Sequence, residues 1–162
     1  MAAHCIEHTQ TRNGKVILAG NGGSAAIASH VAVDLTKAAK IRSINFNEAD
    51  LITCFSNDYG YENWIQQALR SYADPQDTVI LISSSGASPN IINGAEEALK
   101  LQLPLITFSG FSADNPLRKK GAYNFWLDSK EYNIVELVHQ AWLLAIVDFI
   151  AGVIKLSSDF EE

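Results

Sequence analysis

Five short runs rich in aliphatic and β-branched residues, at 15–19, 41–46, 78–82, 105–108 and 123–127, are separated by longer stretches of helical period. That alternation constrains the fold more than any other feature, because strands joined through helices can only be laid side by side in parallel. The third run, "TVILIS", is apolar at nearly every position. Loss of the two-residue alternation is what a strand covered on both faces requires. The expectation is an α/β fold, a three-layer α/β/α sandwich around a five-stranded parallel sheet in the order 2-1-3-4-5 with right-handed crossovers. Helices are predicted over 24–39, 62–72, 88 or 89 to 101, and 134–155. Ser88 followed by Pro89 is a strong start signal, an N-cap hydroxyl and then a residue whose missing N–H costs nothing in the first turn. The last helix is apolar around nearly its whole circumference, which predicts burial, in part against another subunit.

A chain of 162 residues fits one domain over 1–162, with a core at about 15–155, a short N-terminal segment 1–14 and a tail 156–162. The net charge of −6 leaves no basic face for nucleic acid. A small anion remains a possible ligand, since backbone amides bind one without net positive charge. Cys5 and Cys54 lie far apart with no ligand spacing, as expected of free thiols in a reducing cytoplasm. The start carries no apolar leader, and the apolar run 141–147, closed by Asp148, is too short to span a bilayer; a soluble protein that does not engage membranes is expected. His4 and His8 read as surface residues of a frayed start, and Trp64, Trp126 and Trp142 as core. Arg118, Lys119 and Lys120 read as a solvated helix end, with a second anion site as the alternative.

The first strand runs into "GNGGS" and the third into "SSSGAS", both directly before predicted helices. In an open parallel sheet, ligands bind beyond the carboxyl ends of the strands near the point where strand order reverses. Free amides of the first helical turn, the positive end of the helix dipole and the hydroxyls of Ser83, Ser84, Ser85 and Ser88 would converge there on an anion. Glycines 20, 22, 23 and 86 would let the backbone approach it. A dinucleotide loop is the competing reading of "GNGGSA". Only Glu48 stands loosely where a ribose-binding acid belongs, and no GxxxxGK[ST] motif occurs.

The segments "GNGGSAA....H", "SNDYGYE", "ISSSGASPNI" and "VExxH" resemble, in order and spacing over about 15–154, the signatures of the sugar isomerase (SIS) domain family, in particular its phosphoheptose isomerase branch. The resemblance implies a five-stranded parallel α/β sandwich that binds a phosphorylated sugar, usually as a tetramer. It implies that Ser83, Ser84, Ser85 and Ser88 hold the phosphate. Asn21, Gly22 and Ser24 of the first loop and Asp58 of the "ND" segment would meet the sugar. Three positions depart from the isomerase pattern: the glutamate four residues after His30 is Asp34, and the last helix has Glu136 and Leu144 where those enzymes carry a glutamine and an acid histidine. The family's N-terminal helical region is absent or cut short, so a homo-oligomer is expected with its order, dimer or tetramer, open.

Moving a proton between C1 and C2 of a sugar needs a carboxylate shielded from water and a second group for the oxygens. The candidate catalytic set is Glu136 as base with His139 or His30 as acid or orienting partner, and Asp34 beside His30 on one helix face. Glu136 as a plain helix-start charge and His139 as a core histidine are the competing readings. His30, Asp34 and Glu136 could also ligate zinc, as in some family members. The function expected is aldose–ketose isomerisation of a sedoheptulose 7-phosphate-like substrate. The alternative is a non-catalytic sugar-phosphate-binding SIS protein that regulates a protein partner, which the loss of the acid at Leu144 favours.

Overall fold

A computed structural model describes residues 1–154; the end of the predicted last helix at 155 and the tail 156–162 lie outside the described residues. Five strands, β1 (Val16–Gly20), β2 (Ser43–Asn45), β3 (Thr78–Ser83), β4 (Leu105–Ser109) and β5 (Tyr123–Trp126), form one sheet in the order β2-β1-β3-β4-β5. Every pairing is parallel, and β1 and β3 run in register from Val16 opposite Thr78 to Gly20 opposite Ile82. The three central strands are buried at every position. Alternate side chains feed two cores. Val16, Leu18, Ile80, Ile82, Ile106 and Phe108 pack under α1 (Ala2–Thr11), α2 (Gly23–Lys37) and α6 (Tyr132–Ile150). Ile17, Ala19, Val79, Leu81 and Leu105 pack under α4 (Trp64–Tyr72) and α5 (Pro89–Lys100), with α3 (Ala49–Tyr59) at that layer's margin. The layers therefore switch faces between β1 and β3, which leaves a crevice beyond their carboxyl ends.

Two helices go beyond the sequence expectation. Residues 2–11 are helical rather than frayed: Ala2 and Ile6 join the core, and the Thr9 hydroxyl meets that of Thr78 at 2.6 Å. Residues 49–59 form α3, which buries no side chain completely. The strand expected over 41–46 shortens to three residues at the sheet edge. The last helix stops at Ile150, where Gly152 turns the chain at φ +73°.

α6 buries only the stripe Val135, His139, Leu143 and Val147, and Ile134 and Leu137 are 50% and 66% exposed. Full burial of its circumference is thus not met within one chain. At 19 residues with a mean hydropathy of 1.4, it is long and apolar enough to cross a membrane by length and composition, contrary to the shorter run read from 141–147. Trp64 is a core residue, while Trp126 and Trp142 are partly buried. The Arg118 guanidinium lies 4.3 Å from the centre of the Trp126 ring, and Lys120 binds Glu96 at 2.9 Å, so these two cations are engaged locally rather than converging on an anion.

Candidate functional site

The crevice between the β1–α2 and β3–α5 loops holds a cavity of about 270 Å³ lined by Asn21, Gly22, Gly23 and Ser24 on one side and Ser83, Ser84, Ser85 and Ser88 on the other. Tyr132 and Glu136 of α6 close a third wall. Gly22 caps α2 at φ +53° in open space, so the backbone angle rather than crowding calls for glycine there. Gly86 sits at φ +62° with the Asn115 amide where a Cβ would stand. That amide donates to the Ser112 carbonyl at 2.8 Å and accepts the Arg118 N–H at 2.9 Å, pinning the back of the serine loop.

The serines differ in what they already satisfy. Ser83 Oγ accepts the Gly86 N–H at 3.2 Å, and Ser85 Oγ accepts the Ala87 N–H at 3.3 Å. Ser84 is only 5% exposed, and its hydroxyl finds no hydrogen-bond partner among the described residues. A buried, unpaired hydroxyl costs about 1–3 kcal/mol, which a ligand oxygen at this point would recover. The N-termini of α2 and α5 both open on this cavity, so their dipoles add to the same preference for negative charge.

Asn21 bridges the two loops rather than standing free. Its Nδ2 donates to Asn90 Oδ1 at 3.0 Å, Asn90 Nδ2 donates back at 2.8 Å, and the Tyr61 hydroxyl donates to Asn21 Oδ1 at 3.2 Å. Asp58 does not join the cavity wall: it is exposed near the end of α3, where Asn57 Nδ2 donates to it at 2.8 Å. Glu48 is likewise exposed, at the start of α3.

The candidate catalytic residues separate into three environments. Glu136 is half-buried, and its carboxylate rests against Gly23 at the start of α2 so closely that a Cβ there would lie 2.1 Å from Oε2. It also lines a second groove of about 430 Å³ with Asn133, Leu137 and Gln140, so it divides the two. His139 is corrected from candidate acid to core residue. It is fully buried, its Nε2 bonds the Ser109 carbonyl at 3.0 Å, and its ring packs edge-on to Phe108. Burial, against the opposing effect of the Ser109 bond, holds its pKa below the usual histidine value, so the ring is neutral. His30 is exposed and Asp34 half-buried; His30 Nε2 lies 3.2 Å from Asp34 Oδ2, and Gln140 Nε2 lies 3.0 Å from His30 Nδ1.

Zinc does not fit these residues. Among the described residues no group of three or more His, Cys, Asp or Glu side chains converges to hold a metal, and Glu136 faces Gly23 rather than the His30–Asp34 pair. Leu144 packs against the core formed with α2. Sequence reasoning missed Tyr132, Asn90 and Gln140. Tyr132 and Gln140 lie four residues on either side of Glu136, a spacing that places all three along one helix face.

A family model described as "SIS domain" matches residues 1–110, about two thirds of the chain. The chain belongs to the SIS domain family. Within it, this SIS chain is 32% identical over 148 residues to a Thermoplasma volcanium protein named "Probable phosphoheptose isomerase", covering 87% of this chain and 72% of the relative, which places it in the phosphoheptose isomerase-like branch. It is 31% identical over 115 residues to phosphoheptose isomerase of Helicobacter pylori, covering 67% of this chain, and spans about 60% of that relative's length. Its fold is similar to a phosphoheptose isomerase structure from Francisella tularensis, with a TM-score of 0.86 at 24% identity over 93% of this chain and 83% of that one. It is also similar, with a TM-score of 0.66 at 17% identity over 94% of this chain and 51% of that one, to the Vibrio vulnificus NanR protein complexed with ManNAc-6P.

Proposed function

We propose that this SIS chain binds a phosphorylated sugar in the crevice between β1 and β3 and isomerises it between aldose and ketose forms, with a sedoheptulose 7-phosphate-like ketose as substrate. The observation that carries the reading is the buried Ser84 hydroxyl, unpaired among the described residues, in a cavity whose third wall bears the Glu136 carboxylate. The phosphate is held by Ser83, Ser84, Ser85 and Ser88 with the amides that open α5. Asn21, Gly22 and Ser24 meet the polyol chain, and Glu136 takes the proton from one carbon and returns it to the next. A half-buried carboxylate between the serine-lined cavity and the groove of Ile27 and Leu137 is placed for that transfer. The names of the isomerase relatives and the ManNAc-6P complex of the Vibrio vulnificus protein support this substrate class.

The reading takes 1–162 as one SIS domain in the cytoplasm, associated with further copies through the exposed apolar residues of α6. Its test is Glu136→Gln. Turnover of sedoheptulose 7-phosphate should fall by at least a hundredfold while its binding changes little, because the amide keeps the shape and loses only the base. Binding without turnover by the wild-type chain would favour the regulatory alternative, and unchanged turnover in the variant would remove Glu136 from the mechanism.

A further inference from the structure

His30 and Asp34 stand at positions where a catalytic pair is expected from the sequence, yet neither lines the phosphate cavity or the groove beside it; Gln140 does line that groove. The link between them is directional. The Gln140 amide nitrogen bears only N–H donors, so His30 Nδ1 beside it accepts, which leaves the ring's proton on Nε2, 3.2 Å from Asp34 Oδ2. Only the NH₂ edge of the Gln140 amide can face a lone pair, and its nitrogen does so at 3.0 Å. The amide plane is thereby fixed: one N–H is spent on His30, and the remaining N–H and the carbonyl oxygen are left for whatever enters the groove.

We infer that Gln140 contacts the sugar at its reacting end, and that His30 and Asp34 are positioning residues that hold its amide. This rests on the phosphosugar reading above. Glu136 lies one helical turn before Gln140 on α6 and borders both spaces, so a ligand anchored by its phosphate on the serines runs past the carboxylate to the amide. A neutral amide with one donor and one acceptor matches the hydroxyl and carbonyl oxygens that exchange roles as C1 and C2 interconvert. With Leu144 turned to the core, Gln140 is the α6 side chain, among the described residues, that takes up the handling of those oxygens.

The test compares inorganic phosphate with sedoheptulose 7-phosphate by calorimetry on the wild-type chain, Gln140→Leu, the near-isosteric Gln140→Glu, His30→Leu and the His30→Leu/Gln140→Leu pair. The wild type should bind the sugar phosphate more tightly than phosphate. Both Gln140 variants should lose about five- to tenfold of that margin, the worth of one or two neutral hydrogen bonds, with phosphate affinity unchanged. His30→Leu should cost less, and the double variant no more than Gln140→Leu alone, since the two act as one unit. In parallel, the imidazole ¹⁵N spectrum should show His30 with its proton on Nε2, and its Nδ1 signal should move in Gln140→Leu. An unmoved Nδ1 signal, additive losses or an undiminished sugar margin would overturn the inference. A wild-type chain that binds both ligands equally refutes the inference and leaves the phosphate cradle standing; one that binds neither refutes both readings.

Discussion

Replacing Gly23 with alanine separates the fold from the chemistry. The added methyl carbon would stand 2.1 Å from Glu136 Oε2 and 2.5 Å from its Cδ, whereas ordinary contact begins near 3.4 Å, so the carboxylate must retreat by roughly 1.3 Å. The obstacle is the far end of a flexible, half-buried side chain, and the helix can accept the change without moving its backbone. Gly23 opens α2 and lies outside the glycines of positive φ, so alanine fits its conformation and should leave stability unchanged or raise it by up to about 0.5–1 kcal/mol. On the proposed role of Glu136, turnover is less forgiving, since a displacement of about 1 Å at a reacting group costs on the order of a hundredfold in rate. Thermal unfolding and isomerisation of sedoheptulose 7-phosphate, followed on the same samples, read the two effects separately. The expected result is an unchanged or slightly raised Tm with turnover reduced about a hundredfold and phosphate still bound. Turnover near wild type would show that Glu136 does not act from its observed position, and a falling Tm would show that the helix start is not the passive element described.

Gly86→Ala should behave in the opposite way, losing roughly 2 kcal/mol on chemical denaturation together with phosphate binding, because alanine is strained at φ +62° and its Cβ would displace the Asn115 amide. Ser84→Ala should weaken phosphate binding about tenfold while stabilising the empty chain slightly, since it deletes an unpaired buried hydroxyl; calorimetry and thermal unfolding check both halves. The hydrogen bond from Arg70 holds the Glu97 carboxyl below its usual range against the opposing effect of burial. Its contribution is complete above the unfolded carboxylate value and is lost as pH falls through the lowered folded one, so Glu97→Gln should flatten the acid limb of stability below about pH 4.5. Buried His139 resists the proton that the unfolded chain accepts, so stability should also decline as pH drops below about 6.5, by at most about 1.4 kcal/mol per pH unit; His139→Gln should remove that slope in denaturation curves from pH 8 to 5.

The strand order, the two-sided core and the two small-residue loops are legible in the sequence because each rests on local patterns that packing reinforces. "TVILIS" is apolar at nearly every position since both faces are covered, and Pro89 opens α5 as read, although the Ser88 side chain makes no capping hydrogen bond. α3 is missed although Leu51, Ile52 and Phe55 recur at helical spacing and pack against the core margin; it buries no side chain completely, and the "SNDYGYE" segment across its end draws attention as a ligand-binding stretch rather than as a helix. The resemblance assigns Asp58 to the sugar, whereas the last turn of α3 leaves it exposed to solvent. Glu136 and His139 lie three residues apart, a spacing that predicts a shared face. The buried stripe of α6 runs through Val135, His139, Leu143 and Val147, and the small rotation between that stripe and Glu136 carries one residue under the sheet and leaves the other at the crevice. Sequence spacing gives angles around a helix; which angle meets the sheet depends on the whole layer.

The reciprocal amide pair of Asn21 and Asn90 bears on how such a site could be exchanged between proteins. Each amide supplies the donor that the other accepts, so the β1–α2 and β3–α5 loops, 69 positions apart in sequence, are fastened to each other rather than only to their own strands. A graft of either loop alone into a different parallel sheet would carry an amide with two unmet bonds into a crevice that water only partly reaches. The transferable module is the pair of loops together with the spacing of the two adjacent strands that brings them face to face.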